Sequence, residues 1–157
     1  MIRPATPSDA EAIAELIAEG WEEDLEYTRD LVMEEPGSWT VAVRSDRVVG
    51  VLHDAWFGAW HILAGFPDRD ADDRAAKSVS YLVVTVPYRN RGVGSELLDT
   101  WIRALPSTIE YVFTSPEPGP DEAARRRFFA RHGFRLIGTG PSMRDTDPWI
   151  MGRSVRE

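Results

Sequence analysis

The residues of this chain best suited to chemistry are clustered in one short segment, Arg89-Asn90-Arg91-Gly92-Val93-Gly94. It lies between a nearly continuous apolar run, Val79 to Val86, and an amphipathic stretch carrying Leu97, Leu98, Trp101 and Ile102. That order reads as strand, tight glycine turn, helix. A helix N-terminus offers unbonded N–H groups and the positive end of a dipole, and glycines let the backbone come close to a phosphate, so the segment suits an anion. Two familiar nucleotide motifs fail here: GxGxxG needs glycine where Leu97 stands, and no glycine precedes Lys77 in a GK[ST] pattern. GxSxG is absent, and the lack of cysteine removes disulfides, thiolate metal sites and a cysteine nucleophile. His53, His61 and His132 have no metal-ligand spacing and read as structural or surface histidines, so no metal is implied.

The turn, Arg-x-x-Gly-x-Gly between a buried strand and a helix, resembles the acyl-CoA signature of the GNAT superfamily of N-acyltransferases. The likeness extends over most of the chain, from the Ile2-Arg3 opening and the Thr6 to Asp9 helix start to the Trp39 to Trp56 hairpin and the Phe128 to Phe134 ending. It implies that the amides of Asn90, Arg91, Gly92, Val93, Gly94 and Ser95, following Arg89, cradle the pyrophosphate of acetyl-CoA as co-substrate. It also implies that Leu82 and Val84 hold the pantetheine arm by main chain, as an added strand would. The Val84 N–H would face the thioester oxygen and stabilise the developing oxyanion, the kind of contact worth ~3 kcal/mol in acyl transfer. One of Arg125, Arg126, Arg127 and Arg131 would meet the 3′-phosphate of CoA, the others forming a solvated basic face.

Departures from the family pattern fall on the proton-transfer groups. The tyrosine that commonly protonates the leaving thiolate is matched here by Phe129, which would line the cofactor site without donating. Losing a general acid costs roughly 10²- to 10⁴-fold, but a thiol with pKa ~8.5 is a tolerable leaving group. The strand position of the family's glutamate base is Ser78. Asp54 as base and Ser80 as water relay are the best alternatives, although both also read as structural residues; Tyr81, Tyr111 and Ser115 are weaker substitutes for the missing acid.

The elements that must position these groups are legible to different degrees. Ile2 to Pro4 reads as a short strand, and Thr6-Pro7-Ser8-Asp9 as a helix start with hydroxyl N-cap, Pro at N1 and a carboxylate at N3. Ala10, Ile13, Leu16 and Ile17 form one helical stripe ending at Gly20, and a second helical pattern runs from Trp21 through Val32 to Pro36-Gly37. Trp39 to Arg44 and Val48 to Trp56 read as a hairpin across Ser45-Asp46-Arg47, and Phe57 to Ala76, with Asp68, Asp70, Asp72 and Asp73, as a long loop. Val79 to Val86 is expected as a strand covered on both faces. A helix from about Gly94 to Leu105, a strand Ile109 to Thr114, a Pro116 to Pro120 loop, a helix Asp121 to His132 closed by Gly133, and strands Phe134 to Thr139 and Trp149 to Val155 follow. The expectation is an α/β (α+β) domain over residues 1–157, its mixed, mostly antiparallel sheet of about seven strands flanked by about four helices.

Composition bounds the rest. With 157 residues, 43% apolar, the chain can bury a core as a single domain. A net charge of −8 argues against nucleic acid as partner, and the absence of a signal-like start or a long apolar run argues for a cytoplasmic protein without a membrane span. Acid is concentrated early: residues 1–80 carry 7 Lys+Arg against 17 Asp+Glu, and residues 81–157 carry 11 against 9. Since family relatives build the acceptor site largely from that first half, the expected partner is a small cationic amine, acetylated directly in a ternary complex. Two rivals follow from the sequence: a non-catalytic acyl-CoA sensor, suggested by Phe129 and the missing base, and a protein or peptide acetyltransferase docking through Trp56 to Trp60. A homodimer is left open.

Overall fold

In the computed structural model, residues 1–20, 24–56, 75–116, 119–139 and 149–156 are described. The apolar stripe of α1 (Ala10–Gly20) buries Ala10, Ile13, Ala14, Leu16 and Ile17, and α2 (Leu25–Glu34) adds Val32. Their entry is fixed locally. A 3-10 turn at Pro7–Asp9 precedes α1, and the Asp9 carboxylate accepts from the Thr6 N–H at 2.8 Å and from Arg3 Nη1 at 2.7 Å. Asp24 caps α2 by accepting from the Glu26 N–H.

These helices cover one face of strands β1 (Ile2–Pro4), β2 (Trp39–Arg44) and β3 (Arg47–Trp56). The core there is Ile13, Leu16, Ile17, Val32, Trp39, Val41, Val51 and Val83, with Tyr81 packed against it. Alternation along the strands sends their neighbours to the other face. The β2–β3 hairpin closes through Ser45 and Asp46, both at positive φ (50° and 59°), the backbone of a two-residue turn matched to strand twist.

The sheet has seven strands in the order β1-β2-β3-β4-β5-β7-β6, adding β4 (Ala76–Val84), β5 (Tyr111–Thr114), β6 (Arg135–Thr139) and β7 (Trp149–Ser154). Only β4 and β5 pair in parallel among the recorded registers; the others are antiparallel. With α3 (Val93–Ala104) and α4 (Glu122–Arg131), this is the mixed seven-strand, four-helix α/β architecture expected. Contacts group the chain into two compact units: Met1–Asp54 with Tyr81–Leu105, and Ala55–Ser80 with Pro106–Glu157. In the second, Phe113 is fully buried, and Phe129 packs edge-on against Phe128 and Phe134 with centroids at 5.2 and 5.3 Å.

Two expectations about β4 are corrected. The strand starts at Ala76, inside the span read as loop, because Ala76 to Val79 pairs with Tyr111 to Thr114; it ends at Val84, since Val86 and Pro87 form a 3-10 turn. Nor is it covered on both faces: only Ala76, Val79 and Val83 are buried, and Ser80 is exposed. Tyr81, Leu82 and Val84 are half-buried, so the near-continuous apolar run overstates the cover of this end of the strand. The acidic residues Asp68, Asp70, Asp72 and Asp73, with His61 and Trp60, lie outside the described residues, as does the side chain of Trp56. Among the described residues no helix is long and apolar enough to cross a membrane.

Candidate functional site

The glycine turn is built from three consecutive local decisions. Thr85 ends β4 with its N–H donating to the Val49 carbonyl at 2.9 Å, and the Val86–Tyr88 turn then reverses the chain. Arg89 reaches back: its Nε donates to the Val84 carbonyl at 2.8 Å. Asn90 (φ 60°) and Gly92 (φ 83°) both take the left-handed region, one through the residue type that tolerates it best after glycine and one through glycine itself. Arg91 lies over the Tyr88 ring at 5.8 Å.

Gly92 is the N-cap of α3 and has no side-chain cap, so the first-turn amides that follow are left to other partners; the first helical bond is Glu96 N–H to the Gly92 carbonyl at 3.0 Å. A Cβ placed on Gly92 would meet nothing within 4 Å, which marks open space over the turn. Helix amides without a side-chain cap, a positive dipole end and an open backbone surface fit a pyrophosphate. Ser95 and Gly94 are half-buried in the first turn, whereas Asn90 and Arg91 are exposed.

Helix α3 is anchored on the face of the sheet opposite α1. Val93, Leu97, Leu98 and Trp101 are buried, and Gly50 of β3 makes room for Val93 and Leu97. Trp101 Nε1 donates to Asp54 Oδ2 at 2.7 Å in a buried contact. Arg44 of β2 donates to Glu96 at 2.6 Å, tying down the first turn.

The residues weighed for proton transfer separate. Asp54 faces α3 and is engaged by Trp101, while Ser80 is exposed on β4 and the Ser78 hydroxyl donates to the Ala55 carbonyl at 3.5 Å. Phe129 is 6% exposed within the ring cluster of the second unit, so that position supplies packing. Tyr111 is buried in β5. Arg125 and Arg126 are half-buried and Arg127 and Arg131 exposed on α4.

Two groups near the Leu82–Val84 segment were missed in the sequence. Glu19, at the end of α1, accepts from the Thr85 hydroxyl at 3.1 Å, which sets a carboxylate beside the end of β4. His53, directly across from Trp39 in the hairpin register, stacks on its indole with centroids 4.0 Å apart and planes at 25°. Tyr81 closes the trio at 5.9 Å from His53 and 6.2 Å from Trp39. No local spacing announces either; both are contacts between distant parts of the sequence. No group of three or more His, Cys, Asp or Glu able to hold a metal occurs among the described residues.

A strand, a left-handed glycine turn and an uncapped helix N-terminus at residues 82–95 coincide with a sequence-family match: the model described as "Acetyltransferase (GNAT) domain" covers residues 35–136. The chain belongs to the GNAT acetyltransferase family. Solved GNAT structures share its fold from end to end. They include the GNAT-like decarboxylase GphF in complex with isobutyryl-CoA (TM-score 0.78, 23% identity, 99% of this chain and 100% of that one). Ard1 from Thermoplasma volcanium matches at TM-score 0.76 and 23% identity over 100% of this chain and 98% of its own. An aminoglycoside 6′-N-acetyltransferase complexed with coenzyme A matches at 0.74 and 14% over 99% and 97%. At such identities the likeness is one of fold. A search of curated proteins found no significant match.

Proposed function

We propose that this GNAT chain, acting as one domain over residues 1–157 in the cytoplasm, is an acetyl-CoA-dependent N-acetyltransferase whose acceptor is a small cationic amine. The observation that carries the reading is the turn itself: positive φ at Asn90 and Gly92 opening onto the uncapped N-terminus of α3, immediately after β4. The amides from Asn90 to Ser95 would hold the CoA pyrophosphate, and main-chain groups of Leu82 and Val84 would hold the pantetheine arm, with the Val84 N–H directed at the thioester oxygen. Arg89 supports that strand end by occupying the Val84 carbonyl.

An alkylammonium acceptor must lose a proton before its nitrogen can attack. The C–N bond forms as the C–S bond breaks; a second proton leaves the nitrogen and ends on the departing CoA thiolate. The Glu19 carboxylate, hydrogen-bonded to Thr85, supports a cationic acceptor because it puts negative charge beside the half-buried end of β4. Release of CoA thiol from acetyl-CoA across cationic and neutral amines, with calorimetric acetyl-CoA binding on the same preparation, tests the reading. Turnover restricted to neutral or anionic acceptors would sink the cationic-amine assignment.

Phe129 favours a second reading, an acyl-CoA-binding domain without turnover, because its ring sits among Phe128 and Phe134 with no proton to give. Tight acetyl-CoA binding with no thiol release on any amine or peptide is its signature. Acetylation of peptides alone would point instead to a protein acetyltransferase.

A further inference from the structure

We propose that Arg44 sets the affinity for acyl-CoA by neutralising Glu96, a carboxylate in the first turn of the helix that would receive the pyrophosphate; this role rests on the acetyl-CoA reading above. Glu96 shares that turn of α3 with Val93, Gly94 and Ser95, whose amides are proposed to hold the anion. Side chains on a helix lean toward its N-terminus, so the carboxylate is carried toward those amides and not away from them. One helical turn rises only ~5.4 Å, and charges act over ~10 Å at an ionic strength of 0.1 M. An uncompensated carboxylate at this position would repel the anion the turn is built to take.

Arg44, at the end of β2, supplies the compensation. Its Nη2 donates to Glu96 Oε2 at 2.6 Å, while Nη1 donates to the Val43 carbonyl at 3.0 Å, so the guanidinium is braced on its own strand as it meets the helix. Arg47 stands opposite Arg44 in the hairpin register, and like charges placed so repel, which Glu96 relieves. The arginines of the glycine turn are engaged elsewhere: Arg89 Nε donates to the Val84 carbonyl, and Arg91 lies over the Tyr88 ring. A first-turn carboxylate favours the empty helix through its dipole, yet the same charge opposes a bound anion. Glu96 therefore helps the helix at the expense of the co-substrate, and Arg44 offsets that effect. The two side chains are 29% and 54% exposed, so water screens the pair and the consequence for binding is several-fold, not orders of magnitude.

The test is calorimetric titration of acetyl-CoA into wild type, Arg44→Gln, Arg44→Lys, Glu96→Gln and the double variant Arg44→Gln/Glu96→Gln, at about 0.02 M and about 0.5 M salt, with melting measured on each. Arg44→Gln is expected to weaken binding about 3- to 10-fold at low salt, and Arg44→Lys, which keeps the charge, to recover most of that loss. Glu96→Gln can still accept from Arg44 but carries no charge; it is expected to tighten binding about 2- to 5-fold while melting no higher than wild type. The double variant is expected within about twofold of wild type, and all these differences are expected to collapse at high salt. If Arg44→Gln, Glu96→Gln and the double variant all weaken binding alike, the pair is a mechanical tie and the charge role is overturned. A double variant as weak as Arg44→Gln overturns it too, since Arg44 would then be touching a phosphate itself. Wild type that does not bind acetyl-CoA at either salt overturns the co-substrate reading, and the role of Arg44 with it.

Discussion

The Arg89 guanidinium donates through Nε to the Val84 carbonyl oxygen at 2.8 Å, so the first residue of the glycine turn holds the last residue of β4. The arginine of the Arg-x-x-Gly-x-Gly pattern therefore has a local task that does not require it to touch a phosphate. Arg89→Ala is expected to weaken acetyl-CoA binding by roughly 3- to 10-fold, the loss of one exposed hydrogen bond, with a melting temperature close to wild type. Titration calorimetry of the two proteins checks it, and an affinity loss beyond about 100-fold would assign Arg89 a direct phosphate contact instead.

Gly92 combines a positive φ with empty space where a Cβ would go. Gly92→Ala is expected to cost about 1 to 2 kcal/mol of stability from backbone conformation alone, with no clash to relieve. The added methyl would stand over the turn proposed to cradle pyrophosphate, so acetyl-CoA affinity is expected to fall by more than the stability loss explains. Asn90→Gly, at φ 60°, serves as the contrasting variant and is expected to leave stability within about 0.5 kcal/mol. Denaturant unfolding and acetyl-CoA titration of both variants separate the two effects.

Asp54 and Trp101 form a buried hydrogen bond at 2.7 Å across 47 residues of sequence. Trp101→Phe is expected to destabilise by about 1 to 3 kcal/mol, because it removes a donor from a buried carboxylate and a part of the packing beneath α3. If Asp54 instead serves as the base, Asp54→Asn will abolish turnover while the protein melts normally. Held as an anchor of α3, Asp54→Asn is expected to lower stability and leave the pH dependence of kcat/KM unchanged.

What the sequence reveals about this fold follows the range of the interactions involved. The α1 stripe, the hairpin turn around Ser45-Asp46-Arg47 and the strand–turn–helix order around Gly92 are visible because neighbours a few residues apart decide them. The β4 boundary is not set locally: Ala76 to Val79 becomes a strand only by pairing with Tyr111 to Thr114, and Val86 looks like strand yet precedes Pro87 in a turn. His53, Asp54 and Glu19 acquire their surroundings from Trp39 and Tyr81, from Trp101 and from Thr85. Spacing along the chain carries no trace of those contacts.

Arg3 and Asp9 form a two-pronged pair, with Nη1 to Oδ2 at 2.7 Å and Nη2 to Oδ1 at 3.0 Å. The hydrogen bond from Arg3, aided by the Thr6 N–H, lowers the Asp9 carboxyl to about 2. A depressed carboxylate stabilises the fold above its unfolded pKa, and that contribution is lost as pH falls through the folded value. Asp9→Asn is therefore expected to cost up to about 2 kcal/mol at pH 7, and the difference from wild type is expected to shrink from about pH 4 downward and vanish near pH 2. Urea unfolding at pH 7, 4 and 3 measures it; a penalty that does not change with pH would mean that geometry at the Thr6 cap, and not charge, is what Asp9 supplies.

Gly50 lies under the first turns of α3, where an added Cβ would come within 2.9 Å of Leu97 Cδ1 and 3.1 Å of Val93 Cγ1. Leu97 can give way by rotating, but Val93 is branched at Cβ and sits at the first residue of the helix, next to Gly92. Gly50→Ala is thus expected to push the N-terminus of α3 away from β3 by a few tenths of an ångström and to cost roughly 1 to 3 kcal/mol. Displacement of α3 moves the amides of Val93, Gly94 and Ser95 together, so acetyl-CoA affinity should fall along with stability. Leu97→Val, which relieves the closer contact, is expected to restore part of both losses in the double variant, as coupled neighbours do. Recovery of stability without recovery of affinity would show that the position of these amides is not what acetyl-CoA reads.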